Sequence, residues 1–338
     1  MPKLRAIVLA FVMPALAHAE GSSPIIQAVV QDHILPRYET FANEATKLAG
    51  VAQSDCRVNS APLKASFNAT FDAWIGVSHL RFGPSEQDNR AFALAFWPDS
   101  RNKTPKSLTR FLVDGDPAGL SAEAYQEVSI AARGLYALEF LLFDDVVSTI
   151  GDPQYHCTLV QTVTQDIANN ARAISTDWDN TYANLMMHPS ENGPYRTDTE
   201  ALQEAFKALY TGVEFTKDTR LGRPLGSFNK PRPKRAEAWR SGRSLRNVEV
   251  SLTSLRDLAS VISADHPGLA ARLDNAFIYA LEIAATQDDP TFANIADVQG
   301  WFEVDTLRQS LEAVREILAD ELALALEVTE GFNALDGD

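Results

Sequence analysis

The sequence predicts an all-α protein made of two helical bundles packed together. Apolar residues recur every three or four positions along most of the chain, the spacing that buries one face of a helix. No convincing stretch alternates apolar and polar residues, the pattern of a half-buried strand. With 338 residues, 45% of them hydrophobic, the chain is long enough to fill a large core.

Each helix is predicted from its own apolar spacing and end signals. Gly83-Pro84 indicates a helix end, and Asp152-Pro153 places an N-cap before a proline at the first helical position. The clearest apolar series is Leu307, Leu311, Val314, Leu318, Leu322 and Leu326. The predicted helices cover residues 25–49, 67–82, 121–144, 153 towards 182, 199–215, 244–262, 269–287 and 305–332.

A polar stretch divides these helices into two groups. Residues 188–199 are rich in turn-forming residues, which indicates a connector. We therefore expect an N-terminal helical bundle over residues 20–188 and a C-terminal helical bundle over residues 189–338.

The first 19 residues have the features of a secretory signal peptide. Lys3 and Arg5 form a basic start, residues 6–16 are mostly apolar, and Ala17-His18-Ala19 fits the small-x-small cleavage rule. The apolar stretch is too short to serve as a membrane span. We expect cleavage after Ala19 and export to the periplasm, with a retained N-terminal helix as the alternative.

The acidic charge limits the expected partners. Loss of Lys3 and Arg5 with the signal peptide would change the net charge from −15 to −17. Such a chain repels nucleic acid and anionic membrane surfaces over most of its area, so no nucleic-acid partner is expected. The short apolar stretch at the start of the chain predicts no membrane span.

Two cysteines are present, Cys56 and Cys157. In an exported chain this number predicts one disulfide, and two free buried thiols are the alternative. Neither cysteine has the spacing of a metal site.

One carboxylate interrupts an apolar helix. From residue 128 to 143 the only charged residues are Arg133 and Glu139. A buried carboxylate needs a partner or must stay protonated. Tyr136 lies three residues before Glu139, so the two side chains share a helix face. Tyr136 and Glu139 could form either a pair of metal ligands or a hydrogen bond within the core. Arg81 and Arg90 are further candidate partners of Glu139.

A second cluster of polar and aromatic residues lies between residues 72 and 99. It combines acids, arginines, a histidine and a tryptophan around two turns, which is more than a core requires. Together with Tyr136 and Glu139, its members are the predicted binding residues: Asp72, His79, Arg81, Arg90, Trp97 and Asp99.

A basic segment over residues 220–246 stands out in this acidic chain. It contains the single acid Glu237 and nine cations: Arg220, Arg223, Lys230, Arg232, Lys234, Arg235, Arg240, Arg243 and Arg246. Three prolines keep much of it from forming a helix. The segment is either a solvated loop whose charges pair with the acidic body or a contact for an anion or a partner.

Signatures of other chemistries are missing from the sequence. HExxH, GxSxG, P-loop and GxGxxG motifs do not occur.

Several short motifs resemble the imelysin-like proteins, the M75 peptidase family of bacterial cell envelopes. They follow each other in the same order over most of the chain after residue 19. The matching stretches are residues 33–38 (HILPRY), Trp74 with 81–84 (RFGP), 97–99 (WPD), 134–139 (GLYALE) and 239–245 (WRSGRSL).

The resemblance implies an all-α fold of two bundles, export, and a link to iron or haem acquisition. It also implies a metal or active site at the family motif GxHxxE. Gly134 and Glu139 match this motif, but Tyr136 stands where the family has histidine. Tyrosine is an uncommon metal ligand, so the departure argues against both a bound metal and peptidase activity.

These observations favour a periplasmic binding protein of iron or haem uptake without catalytic activity, which binds a small ligand or an envelope protein in a pocket between the bundles. The sequence identifies no definite cofactor. A divalent metal or iron ion with Glu139 as a ligand stays open. One alternative is an M75 metallopeptidase that recruits His79 and Asp72 as ligands. The other is a scaffold that holds a redox or uptake partner through residues 220–246.

Overall fold

The computed structural model describes residues 23–329, so the predicted signal peptide lies outside the described residues. Helices joined by turns make up this part of the chain, and its β-structure is one isolated bridge between Ser227 and Lys230. The all-α prediction is confirmed.

The α-helices are numbered in chain order. Those before the predicted connector are α1 (Pro24–Ala28), α2 (Leu35–Ser54), α3 (Ala61–Ile75), α4 (Arg90–Leu94), α5 (Lys103–Asp114), α6 (Ala122–Tyr125), α7 (Gly134–Phe143), α8 (Pro153–Asp177) and α9 (Ala183–Met187). Those after it are α10 (Asp198–Glu214), α11 (Gly222–Leu225), α12 (Ser244–Ile262), α13 (Pro267–Ala285), α14 (Val298–Ile317) and α15 (Ala323–Ala325).

Short 3-10 turns lie in several of the connections. They are Gly83–Ser85, Gln87–Asn89, Pro117–Leu120, Ile130–Ala132, Val147–Thr149, Pro233–Arg235 and Ala293–Ala296.

Several consecutive α-helices are joined end to end by π-helical turns. These turns are Val29–Ile34, Trp178–Tyr182, Phe215–Leu221 and Leu318–Leu322. A π-helical turn re-aims the side chains around it and often lies at a functional site. Two of them carry His33 and Arg220, which belong to the buried polar groups described below.

The helix predicted over residues 121–144 is interrupted in the structure. Arg133 is extended and Gly134 has a φ of +76°. A Cβ at Gly134 would lie 2.2 Å from the carbonyl oxygen of Leu94, so the chain passes very close to the end of α4. This close approach requires glycine and explains why α7 begins afresh at residue 134.

Two other predicted boundaries are wrong. The helix expected to reach residue 82 ends at Ile75, and the following turn brings Ser78 towards Arg220. The last long helix begins before residue 305, because the Asp297 carboxylate accepts the Gly300 N–H at 2.9 Å and caps α14. The expected end of that helix, residue 332, lies outside the described residues.

The helices pack in two groups that share one core. In the first, α2 packs against α3 and α8, and α7 packs against α8; in the second, α12 and α14 both pack against α13. Contacts of α1 and α3 with α12 connect the groups, and the buried apolar residues form one continuous cluster. The division into two domains at residues 188–189 therefore stays a prediction.

Candidate functional site

Tyr136 lies at the contact between the two groups of helices. Its side chain is 5% exposed, and its ring stacks on Trp97 with the centroids 6.1 Å apart. The hydroxyl group donates a hydrogen bond to Glu237 Oε1 at 2.5 Å. Trp97 is half-buried and meets Phe215 edge-on, and Phe215 is half-buried as well, so these two rings are the more exposed part of the aromatic cluster.

Glu237 is the residue that the sequence analysis missed. It is 2% exposed, and its Oε2 accepts hydrogen bonds from Arg220 Nε at 2.8 Å and from Asn247 Nδ2 at 3.1 Å. The available signal was its position as the single acid of the basic segment, between Ala236 and Ala238. An acid flanked by small apolar residues in a basic run indicates a buried counter-ion.

Arg220 supplies the positive charge of this group. Its side chain is 4% exposed, and its remaining donors reach the hydroxyl oxygens of Thr216 and Ser78, each at 3.2 Å. Its position in the π-helical turn Phe215–Leu221 aims the guanidinium into the interior. We call Tyr136, Glu237, Arg220 and Asn247 the Tyr–Glu–Arg network.

The network keeps the Tyr136 phenol protonated. Burial raises the pKa of Tyr136 well above its usual value, and the negative charge of Glu237 and the hydrogen bond to it raise the pKa further. Arg220 acts in the opposite direction but does not overcome these causes. The phenol is therefore a hydrogen-bond donor in this site, not an anionic ligand.

Glu139 is buried, as its sequence context predicts, but its partner differs from the expected ones. Its exposure is 2%, and its Oε1 accepts hydrogen bonds from the Ser241 N–H at 3.0 Å and the Ser241 hydroxyl at 2.9 Å. Burial raises the pKa of Glu139, while the two bonds from Ser241 and the charge of Arg240 lower it. Tyr136 bonds to Glu237 and not to Glu139.

Arg81 and Arg90 are not partners of Glu139, so that prediction is wrong. Arg81 bonds to Glu86 at 2.7 Å on the surface, and Arg90 bonds to Asp177 at 2.5 Å. Arg81 lies in the turn after α3, and Arg90 begins α4 with its side chain directed to Asp177 of α8.

The acids of the second predicted cluster have separate roles. The Asp72 carboxylate is bonded to Arg243 and, at 2.9 Å, to Arg246. Asp99 accepts the Thr104 N–H at 2.8 Å at the start of α5 and lies outside the network.

His79 forms a buried pair with His33. The two Nε2 atoms are 3.0 Å apart, and the side chains are 6% and 1% exposed. Burial lowers the pKa of His79 to about 3, and the charges of Arg37 and Arg220 add to this effect. Burial also lowers the pKa of His33 well below its usual value, and the charges of His79 and Arg37 lower it further. Both rings are therefore neutral at pH 7.

The predicted disulfide is confirmed. Cys56 and Cys157 are bonded, with their Cα atoms 5.1 Å apart. A cavity of about 350 Å³ lies beside this disulfide and is lined by both cysteines and His156. Tyr136 and Glu139 do not line this cavity, so the pocket expected between the bundles stays a prediction.

The sequence of this chain matches the model of a known protein family. The family model described as imelysin, peptidase M75, matches residues 34–318. The chain belongs to the imelysin family. This match includes the whole of the GxYxxE motif, the basic segment and the carboxylates paired with its arginines.

Solved structures have the same imelysin fold. An imelysin-like protein from Psychrobacter arcticum 273-4 is 20% identical with a TM-score of 0.77, and the alignment covers 91% of this chain and 96% of that one. A proposed iron-regulated protein A precursor from Parabacteroides distasonis ATCC 8503 is 14% identical with a TM-score of 0.71, covering 90% and 97%. No curated protein matches this chain.

The residues at this imelysin motif do not fit a metal ion. The Tyr136 phenol is held protonated, the Glu237 carboxylate is paired with Arg220, and the Oε1 atom of Glu139 accepts two hydrogen bonds from Ser241. Across residues 23–329 no three or more His, Cys, Asp or Glu side chains come together in a group that could hold a metal. A guanidinium beside the carboxylate supplies the positive charge that a cation would otherwise bring.

Proposed function

We propose that this imelysin family member is a non-catalytic binding protein of the periplasm that takes part in iron uptake. The Tyr–Glu–Arg network is the observation that carries the proposal. A protonated phenol and a carboxylate paired with Arg220 occupy the position where the family resemblance places a metal or active site. Such a set of side chains holds no activated nucleophile, because the phenol keeps its proton and the Glu237 carboxylate is paired with Arg220.

The location and the iron link have independent support. The disulfide is typical of an oxidising compartment, and residues 1–19 have the pattern of a signal peptide. Over residues 23–329 the helices are too short or too polar to cross a bilayer. A protein with the same fold is described as an iron-regulated protein A precursor, which supports a role in iron uptake.

Ligand contact is proposed at the aromatic cluster that covers the network. Trp97 is half-buried and stacks on Tyr136, so a ligand can reach the ring of Trp97 without unpacking the network. Asp72 lies on α3 and His79 on the turn that follows it, while Glu139 accepts hydrogen bonds from Ser241 and so supports the loop that carries it. The peptidase alternative would need Asp72 and His79 to leave Arg243 and His33.

Two assays test the proposal. The purified protein, supplied with zinc or ferrous iron, should show no chelator-sensitive cleavage of an unfolded protein substrate. A bacterial strain lacking the protein should take up less iron at limiting iron supply, and the wild-type chain should restore uptake. Cleavage that disappears in a folded Glu139→Ala variant would establish the peptidase alternative, and unchanged iron uptake in the deletion strain would refute the iron role.

A further inference from the structure

The basic segment over residues 220–246 divides into two parts with different surroundings. Four of its arginines have carboxylate partners, one of them within the segment and the others in the rest of the chain. These pairs are Arg220 with Glu237, Arg240 with Asp144, and both Arg243 and Arg246 with Asp72. This part of the segment follows the first of the two expectations, since its charges pair with the acidic body.

The other five cations have no carboxylate partner within residues 23–329. They lie close together in sequence: Arg223, Lys230, Arg232, Lys234 and Arg235. The Nε atom of Arg223 is buried and lacks a hydrogen-bond partner in the described part of the chain. Burial lowers the pKa of Arg223, and the positive charges of Arg235 and Arg232 lower it further. These guanidinium groups repel each other, and an anion placed among them would remove that repulsion.

An exposed aromatic patch adjoins these cations. Phe228 lies at the tip of a turn that is closed by the hydrogen bond from Lys230 N to Ser227 O at 2.7 Å. Its ring meets Trp301 edge-on with the centroids 5.3 Å apart and lies 5.6 Å from Phe302. Phe228 and Phe302 are 46% and 53% exposed. Trp301 donates its N–H to Leu225 O at 3.1 Å, which satisfies the one polar atom of the ring.

The cations and the aromatic rings belong to one surface. Arg232 N bonds to Pro224 O at 2.7 Å, next to the Leu225 carbonyl that holds Trp301. The 3-10 turn Pro233–Arg235 contacts the turn Ala293–Ala296, which leads into α14 and its aromatic residues. We call residues 223–235 together with Trp301 and Phe302 the basic–aromatic surface.

Two acids in the loop and cap before α14 accept hydrogen bonds from backbone N–H groups. Asp297 accepts the Gly300 N–H at 2.9 Å, and Asp289 accepts the Thr291 and Asn294 N–H groups at 2.8 and 2.7 Å. These bonds fix both carboxylates in loop and cap positions, and within residues 23–329 neither carboxylate forms an ion pair with the five cations.

We propose that the basic–aromatic surface docks on a bilayer rich in anionic phospholipid. Lys and Arg side chains interact with lipid phosphates, while exposed aromatic rings enter the interface between headgroups and acyl chains. The chain has a net charge of −15, but at physiological salt charges interact over only about 8 Å, so the local cations determine which face can approach. An acidic protein would also attract the cations, yet an aromatic residue on an exposed turn needs a matched pocket in a protein and none in a bilayer.

Vesicle flotation tests the proposal. The full mature chain should bind vesicles of phosphatidylcholine with phosphatidylglycerol, bind vesicles of phosphatidylcholine alone much more weakly, and dissociate as salt is raised. Each cation removed should lower the partition coefficient about fivefold. The triple variant Arg223→Gln, Arg232→Gln and Arg235→Gln should therefore bind about a hundredfold more weakly. A double variant Phe228→Ser and Phe302→Ser should lose binding even at low salt.

A matched control removes the same charge elsewhere. Arg101→Gln, Lys103→Gln and Lys106→Gln replace three exposed cations at the start of α5 and should leave vesicle binding unchanged. Far-UV circular dichroism checks that each variant is folded. The proposal is overturned if neutral and anionic vesicles bind equally, if no vesicle binds, or if the two triple variants behave alike. The proposal is also overturned if an acidic protein binds this surface and vesicles do not, a result that would favour a protein partner.

Discussion

Replacement of Arg220 by methionine should lower the free energy of unfolding by about 3–5 kcal/mol, because it leaves Glu237 as a buried charge without its counter-ion. Arg220 and Glu237 are 4% and 2% exposed, so water cannot take the place of the lost partner. Two donors to Glu237 remain, Tyr136 and Asn247, but both are neutral. Urea unfolding of wild type and variant measures the effect.

A double variant separates the loss of the pair from the loss of packing. Arg220→Met combined with Glu237→Gln removes both charges and should recover most of the stability lost in either single variant. The exposed pair of Arg272 and Glu321 provides the control, since Arg272→Met should cost at most about 1 kcal/mol. A double variant as unstable as the sum of the two single variants would show that Arg220 and Glu237 are not energetically coupled.

Acid should destabilise the protein strongly between pH 7 and pH 5 because of the pair formed by His33 and His79. Both pKa values are lowered in the fold, that of His79 to about 3, whereas unfolded histidine titrates near 6.5. Below pH 6.5 the unfolded state therefore binds more protons than the folded state, and the free energy of unfolding falls as pH falls. Two such histidines predict a loss of about 4 kcal/mol over these two pH units.

Carboxyl groups with raised pKa values act in the opposite direction. Burial raises the pKa of Glu139, Asp166 and Glu204, so folding favours their protonated forms and acid stabilises the fold at these positions. A double variant His33→Gln and His79→Gln isolates the contribution of this pair, because all three acids and the buried His156 remain in it.

Urea unfolding at pH 5 and pH 7 gives the comparison. The change in unfolding free energy between the two values should be several kcal/mol smaller in the double variant than in wild type. The exposed residue His188 provides the control, since His188→Gln should keep the wild-type pH dependence. An unchanged pH dependence in the double variant would mean that His33 and His79 are not responsible, since His156, whose pKa burial also lowers, remains in it.

Apolar spacing predicted most of the fold because helix formation depends on local sequence. Residues 244–262 were predicted as a helix and form α12. The interruption at Gly134 could not be predicted, since it arises from the approach of α4 to α7 in three dimensions. The π-helical turns that carry His33 and Arg220 have no periodicity of their own and extend the pattern of the neighbouring helices.

The candidate site was predicted only in part, for a similar reason. The apolar surroundings of Glu139 in sequence predicted its burial, and the structure confirms it. The partners lie far away along the chain: Glu237 is 101 residues from Tyr136, and Ser241 is 102 residues from Glu139. Helical spacing relates residues three or four positions apart, so it cannot select partners at such separations.

The central claim is that the Tyr–Glu–Arg network takes the place of a metal at the imelysin motif. Metal analysis by mass spectrometry tests it on protein purified without chelators, equilibrated with zinc or ferrous iron, and then dialysed. Tyr136→His, Glu139→Ala and wild type are compared, with Tyr136→Phe as the control that removes only the hydroxyl. Wild type and Tyr136→Phe should both retain far less than one metal ion per chain. One metal ion per chain in wild type, lost in Glu139→Ala, would contradict the claim.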